Sequence, residues 1–189
     1  MVNIGERPAS GFDDPMGLLG DCHRRIERFL TLLMTVTEQA HGDALTSEQR
    51  DALEVSLRYF REAAPKHTSD EEESLFPRLR AAGDVRVTAV LARVHTLEAD
   101  HRAAVVDHGE VEKLVHRWLN DGRLTAGETR ELAARLHELQ ALYRHHIAVE
   151  DGEIFPLARE LLHPDDLAQI GAEMARRRGL DQRLGKATP

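Results

Sequence analysis

Apolar side chains return every three or four positions along four long stretches of this chain. That is the period of helices burying one face. The first stripe is Leu19, Ile26, Leu30, Leu33 and Val36, with His23 lying on it. Asp13 or Asp14 can cap this helix with Pro15 in its first turn, and Gly42 stops it after about His41. The second begins at Thr46 or Ser47 and turns Leu53, Leu57 and Phe60 inward. Pro65 must kink or interrupt it just before His67. A further helical segment then runs to about Leu79, with Gly83 as terminator.

Asp84 opens the third helix. Val87, Val90, Val94, Leu97, His101, Val105 and His108 follow one face of it, and it ends near Asn120-Asp121-Gly122. Thr125 caps the fourth, with Glu128 as its capping-box partner. Leu132, Leu136, Leu139, Tyr143, His146 and Glu150 share its inner face, and its end falls near His163-Pro164. A short fifth helix from Asp165 closes at Arg176-Arg177-Arg178-Gly179. Three arginines in a last turn suit a helix C-terminus and read as a solvated cap, with a basic binding patch as the alternative. Residues 1–13 read as a flexible lead, 14–163 as the main domain, 164–178 as the short helix and 179–189 as a disordered tail. Long helices with short connections predict an all-α fold, an up-down-up-down antiparallel four-helix bundle with a short C-terminal helix.

Composition narrows the class. At 189 residues, with 41% hydrophobic and 31% charged residues, the chain suits one well-buried core. A formal net charge of -8 argues against a general nucleic-acid or anionic-membrane surface. Cys22 is the only cysteine, so no disulfide can form within the chain and a reducing compartment is expected. The N-terminus has no apolar h-region and no apolar run reaches membrane-spanning length. A cytoplasmic location is the expectation.

One pattern occurs twice. HTSDEEESLFP runs from His67 to Pro77, and HIAVEDGEIFP from His146 to Pro156. Each copy sets an imidazole and a carboxylate four residues apart, one turn apart on one helical face. His23 and His101 precede the copies by 44 and 45 residues. His23, His67, Glu71, His101, His146 and Glu150 therefore all face inward, where charged and imidazole groups carry a desolvation penalty unless paired or coordinated. No Lys or Arg belongs to the pattern, so a pair of cations would supply the missing charge. Mixed imidazole and carboxylate suits iron, manganese or zinc. Two roughly six-coordinate metals offer about twelve positions. Four imidazoles, two bridging carboxylates and a bridging oxygen leave about one open position on each, where dioxygen, peroxide or nitric oxide could bind.

These six residues and both Phe-Pro endings resemble the hemerythrin-like family, also called the HHE cation-binding domain, over roughly residues 15–160. The resemblance implies a four-helix bundle holding a non-haem di-iron centre. Its ligands would be the six matching residues, around two oxo- or hydroxo-bridged iron ions, with manganese or zinc as alternatives. The oxygen-carrying members have a second histidine on the third helix. Here Leu97 or Val105 stands in that position and neither can ligate, which puts simple oxygen carriage in doubt. Peroxide-consuming and nitrosative-stress functions are associated with members closer to this chain.

Other polar groups lie near the six. Glu98 is a candidate for the missing ligand, or else a neighbouring carboxylate. His145 points about 100° away from His146, and His95 lies off the His101 face. His108 stands about 10 Å from His101, too far to share its metal. Tyr143 either covers the site or packs as a core aromatic. Cys22 reads as a buried small residue. Phe76 and Phe155 are expected to pack beneath the site and exclude water.

The leading expectation is a di-iron protein that binds or consumes dioxygen, peroxide or nitric oxide, with a possible redox partner. If it is an enzyme, it is a di-iron oxidoreductase of peroxidase or catalase type, with no catalytic acid or base assigned. The alternatives are an oxygen, iron or redox sensor or iron-handling module acting through a partner protein, and a metal-free structural bundle. A ferritin-like oxidase is disfavoured, because it needs Glu-x-x-His units on two core helices and Glu98-x-x-His101 is the one such unit well placed.

Overall fold

The structure, a computed structural model, describes residues 9–180. Expectations for residues 1–8 and 181–189, parts of the predicted lead and tail, lie outside the described residues. Among the described residues the fold is all-helical, without strands. No helix among the described residues is long and apolar enough to cross a membrane.

Helix α1 spans Pro15–Ala40. Asp14 caps it by accepting from the Gly17 N–H at 3.0 Å, and Pro15 sits in the first turn, where its missing N–H costs nothing. His41 ends it in the left-handed region (φ 52°), followed by Gly42 at φ 85°. Helix α2, Ser47–Glu62, opens on a capping box between Thr46 and Gln49. The break ahead of Pro65 comes at Ala63, earlier than the expected interruption just before His67. Proline is tolerated in a first helical turn but not further in, so a new helix, α3 (Ala64–Ser69), starts in time to hold Pro65 there. His67 consequently lies within helix rather than beside a break.

Sequence periodicity did not anticipate the backbone beyond His67 and His146. Asp70–Leu75 and Glu150–Ile154 are π-helical. Each is followed directly by a Phe-Pro pair opening a short α-helix, α4 (Phe76–Ala81) and, beyond α6 (Ala126–Val149), α7 (Phe155–Leu161). The cause is the proline. Pro77 and Pro156 have no N–H for the carbonyl four residues back, and their rings would clash with it. The wider turn relieves both problems, and the preceding Phe N–H reaches five residues back instead. Phe76 N–H donates to the Glu71 carbonyl, and Phe155 N–H to that of Glu150. Single π turns inside α-helices recur at functional sites.

Helix α5, Val85–Asp121, starts on the Asp84 cap and stops at Gly122 (φ 76°). Helix α6, Ala126–Val149, starts on the Thr125–Glu128 capping box. The fourth predicted helix is thus α6, a π turn and α7, and the helix ends at Leu161. Helix α8, Pro164–Arg177, comes next. Val105, expected on the inner face of α5, is 72% exposed. The buried row after His101 runs instead through Ala104, Val111, Val115 and Trp118, because 3.6 residues per turn carries a strict i+4 reading off the face.

The apolar interior forms two clusters. One joins Ile26, Leu30, Leu33, Leu53, Leu57, Ala104, Trp118, Leu132 and Leu136. The other joins Leu19, Leu75, Phe76, Leu97, Ile154, Phe155, Ile170 and Met174. Burying each such large side chain contributes about 1.5–3 kcal/mol. Each long helical stretch passes from one cluster to the other through a polar residue. Leu19 and Ile26 flank His23, Leu97 and Ala104 flank His101, and Tyr143 and Ile154 flank His146 and Glu150. The six residues form a polar layer between two apolar ones.

The chain ahead of α1 is tied down where it is described. Ser10 N–H donates to Asp21 Oδ2 at 2.8 Å, and the Phe12 backbone runs against α8 at Gly171. A Cβ there would stand 1.9 Å from the Phe12 carbonyl oxygen.

Candidate metal centre

All six residues are buried: His23, His67, Glu71, His101, His146 and Glu150. They fall into two groups. His23 and His67 stand with Glu71 and Glu150, and His101 and His146 stand with the same two glutamates. Within each group the candidate ligand atoms lie within 4.8 Å of one another. Glu71 presents one oxygen to each side, with Oε1 3.3 Å from His67 Nε2 and Oε2 3.4 Å from His101 Nε2. Glu150 Oε2 is 3.1 Å from both His23 Nε2 and His146 Nε2.

Close as they are, these atoms do not satisfy one another by hydrogen bonding. His23 Nε2, His101 Nε2 and both carboxylate oxygens of Glu71 and Glu150 are buried without a hydrogen-bond partner. Orphaned buried acceptors are costly, and an apolar layer in their place would pack at no such cost. Nitrogen and carboxylate oxygen donors aimed at two shared points fit a pair of cations.

The outer faces of the imidazoles are mostly held. His23 Nδ1 lies 2.9 Å from Asp151, His101 Nδ1 2.8 Å from Glu72, and His146 Nδ1 3.5 Å from Asp100. Such contacts fix the ring and its tautomer and raise its basicity. The arrangement follows the repeat in the sequence. In each copy of the motif an acid comes directly after the glutamate, and the two acids cross over. Glu72 of the first copy holds the histidine upstream of the second copy, and Asp151 of the second holds the histidine upstream of the first. His67 differs, because its Nδ1 is buried without a partner.

The proton affinities reflect this geometry. For His23, burial opposes the proton, and the carboxylates of Asp151, Glu150 and Glu71 override it, raising the imidazole well above its ordinary value. His101 is raised to about 9 against burial by Glu71 and Glu72. His146 is raised the same way by Glu150. Burial dominates at His67 and pushes it down to about 4. Burial alone would raise Glu71, but the imidazoles of His67, His101 and His23 hold it well below the usual carboxylate range.

The remaining candidates sort plainly. Glu98 is turned away and pairs with Arg80 at 2.5 Å. His95 and His145 are exposed. Cys22 is buried and belongs to neither group. Phe155 stacks on the His23 ring at 5.3 Å, and Phe76 is fully buried in the apolar cluster that also holds Phe155. Tyr143 hydrogen-bonds His108 Nε2 at 2.9 Å and borders a cavity of about 10 Å³ among His23, His67, Thr68, His101 and His146. That is room for about one water-sized ligand.

Of the three arginines at the end of α8, Arg176 is exposed as a solvated cap would have it, but the other two are not. Arg177 and Arg178 both reach Asp70, at 2.9 and 2.6 Å, and Asp70 is fully buried beside Glu71. Composition could not reveal this, because arginine in a last helical turn has a sufficient local reason to be there.

A family model described as the hemerythrin HHE cation binding domain matches residues 14–158. A relative from Haemophilus influenzae, described as an uncharacterized protein, is 27% identical over 167 residues, covering 88% of this chain and 91% of the relative.

Proposed function

We propose, from the premise that this chain belongs to the hemerythrin HHE cation-binding family, that it is a di-iron protein which binds or consumes dioxygen, peroxide or nitric oxide. One observation carries the reading: two four-residue groups of buried donors share Glu71 and Glu150. Bound iron would supply a Lewis-acidic, redox-active centre for a small ligand. His23 and His67 would hold one ion, His101 and His146 the other, and the two glutamates would bridge them. In this reading the four long helical stretches form an up-down-up-down antiparallel bundle around the pair, in a cytoplasmic protein.

The chain's own residues shape what such a centre can do. Neither Leu97, buried in an apolar cluster, nor Val105, exposed, can add a ligand. Glu98 is engaged by Arg80. Bound ions would thus keep room for a further small ligand, and the small cavity beside these residues is the size of about one water-sized ligand. Apolar walls above and below keep bulk water away, as the side chains around a metal site commonly do. Asp151, Glu72 and Asp100 hold three imidazoles at their outer nitrogens, which fixes the inner nitrogens toward the centre.

A second reading, a sensor acting through a partner, is favoured by the contact of Arg177 and Arg178 with Asp70. It ties the C-terminal helix to the residue next to a bridging glutamate, so a change at the centre would be felt there.

Metal analysis and visible spectra of the aerobically purified protein, before and after peroxide, test the proposal. About two irons per chain with a spectrum that peroxide changes is expected. Zinc alone would remove the redox reading.

A further inference from the structure

A cleft of about 410 Å³ opens between α2–α3 and α5, beside the metal centre and reaching His101. Leu33, Leu57, Phe60, Ala64 and Val111 supply apolar wall, and His108 and Tyr143 form a hydrogen-bonded polar pair in its lining, with Thr68, Ser69 and His101 as further polar groups. The size suits a small organic molecule, and one strongly apolar wall with few convergent polar groups is the composition of such sites. Ala64, Thr68, His101 and Tyr143 border both this cleft and the small cavity at the metal centre. The exposed side chain of Val105 also lines it.

Its electrostatics select among occupants. Burial pushes His108 down to about 4, so the ring is neutral at pH 7. It stacks on Phe60 at 4.2 Å and shares a hydrogen bond with the Tyr143 hydroxyl. Of the charged lining groups, Arg61 and Glu112 are paired with each other at 3.3 Å, and His101 faces Glu71 and Glu72 at 3.4 and 2.8 Å. Among the described lining residues no unpaired charge remains to hold an ionic ligand, while the Tyr143–His108 pair retains hydrogen-bonding capacity on the tyrosine oxygen.

We propose that this cleft binds an uncharged, mostly apolar organic molecule carrying a single hydroxyl or hydroperoxyl group, with that group at the Tyr143–His108 pair beside the metal centre. The inference goes beyond the metal reading, since occupancy of the cleft does not depend on which ion the centre holds.

Gly109 makes the test clean. It lines the cleft, and a Cβ built on it meets nothing within 4 Å. Gly109→Phe therefore starts from open space and should reach into the cleft, whereas Gly109→Ala leaves most of it open. Val105→Trp, at an exposed position, repeats the block without touching the core. The probe is 2-phenylpropan-2-ol, of about ten non-hydrogen atoms, for which a dissociation constant near or below about 1 mM is reasonable. Binding to the full purified chain would be measured by calorimetry and ligand-observed NMR, with metal content and helicity checked for each variant. The expected result is binding to the wild type and to Gly109→Ala, weakening by about tenfold or more in Gly109→Phe and Val105→Trp, and unchanged metal content throughout. The carboxylate analogue 2-phenylpropanoate should bind about tenfold more weakly than the alcohol. Absence of wild-type binding, wild-type affinity in both blocking variants, or equal binding of the carboxylate would overturn the proposal. None of these outcomes bears on the iron reading, which metal analysis decides separately.

Discussion

At the level of single residues, the anomaly that reveals the centre is chemical. An imidazole or carboxylate on an apolar stripe has to be compensated, and the six do not compensate one another, since the inward atoms of His23, His101, Glu71 and Glu150 lack partners. Those six were legible in the sequence for that reason. Glu72 and Asp151 were not, because an acid next to a buried acid looks the same in sequence whether it faces solvent or holds a ring. Removing either by Glu72→Ala or Asp151→Ala is expected to weaken metal affinity about 10- to 100-fold with helicity retained, as measured by chelator competition. The pH dependence has a definite sign. In the metal-free protein His101 holds its proton up to about 9, above its ordinary 6.5. Its contribution to folding is fully present below 6.5 and is lost as pH rises through about 9. Metal must displace that proton, so affinity should climb across the same window. Thermal melts of the metal-free protein and chelator competition from pH 6 to about 9 should therefore move in opposite directions. Parallel curves would reject the assignment of the proton to His101.

Helices are where sequence periodicity succeeded and where it stopped. Caps at Asp14, Thr46, Asp84 and Thr125 fall where local chemistry places them. The π turns stayed hidden, because periodicity reports which face is apolar and not how many residues the backbone spends on a turn. Their signal was the proline after each phenylalanine, visible in both motif copies. Pro77→Ala restores an N–H for the Glu73 carbonyl, and the turn is expected to relax toward α-helix. Glu71 should then leave its position, lowering metal affinity while circular dichroism stays helical. Two glycines give an opposed pair. Gly171→Ala forces a methyl group into the Phe12 carbonyl and should cost about 1–3 kcal/mol. Gly109→Ala meets open space within α5 and should stabilise by about 0.5–1 kcal/mol. Urea denaturation of both variants checks the two signs.

For the whole molecule, the polar layer between two apolar clusters makes folding and metal binding one problem. Loaded protein should resist heat more than metal-free protein, by an amount that grows with free metal concentration. The C-terminal helix shares in this through Asp70. Arg178→Ala leaves a fully buried carboxylate with one arginine instead of two, and should lower stability by about 1–3 kcal/mol. The central claim is that one pair of glutamates serves both ions, and counting ions in a variant tests it most directly. Metal-free wild type titrated with ferrous iron under anaerobic conditions should take up about two ions per chain, and Glu71→Ala, folded by circular dichroism, should retain neither tightly. A variant that keeps one or both ions at wild-type affinity would contradict the shared bridge.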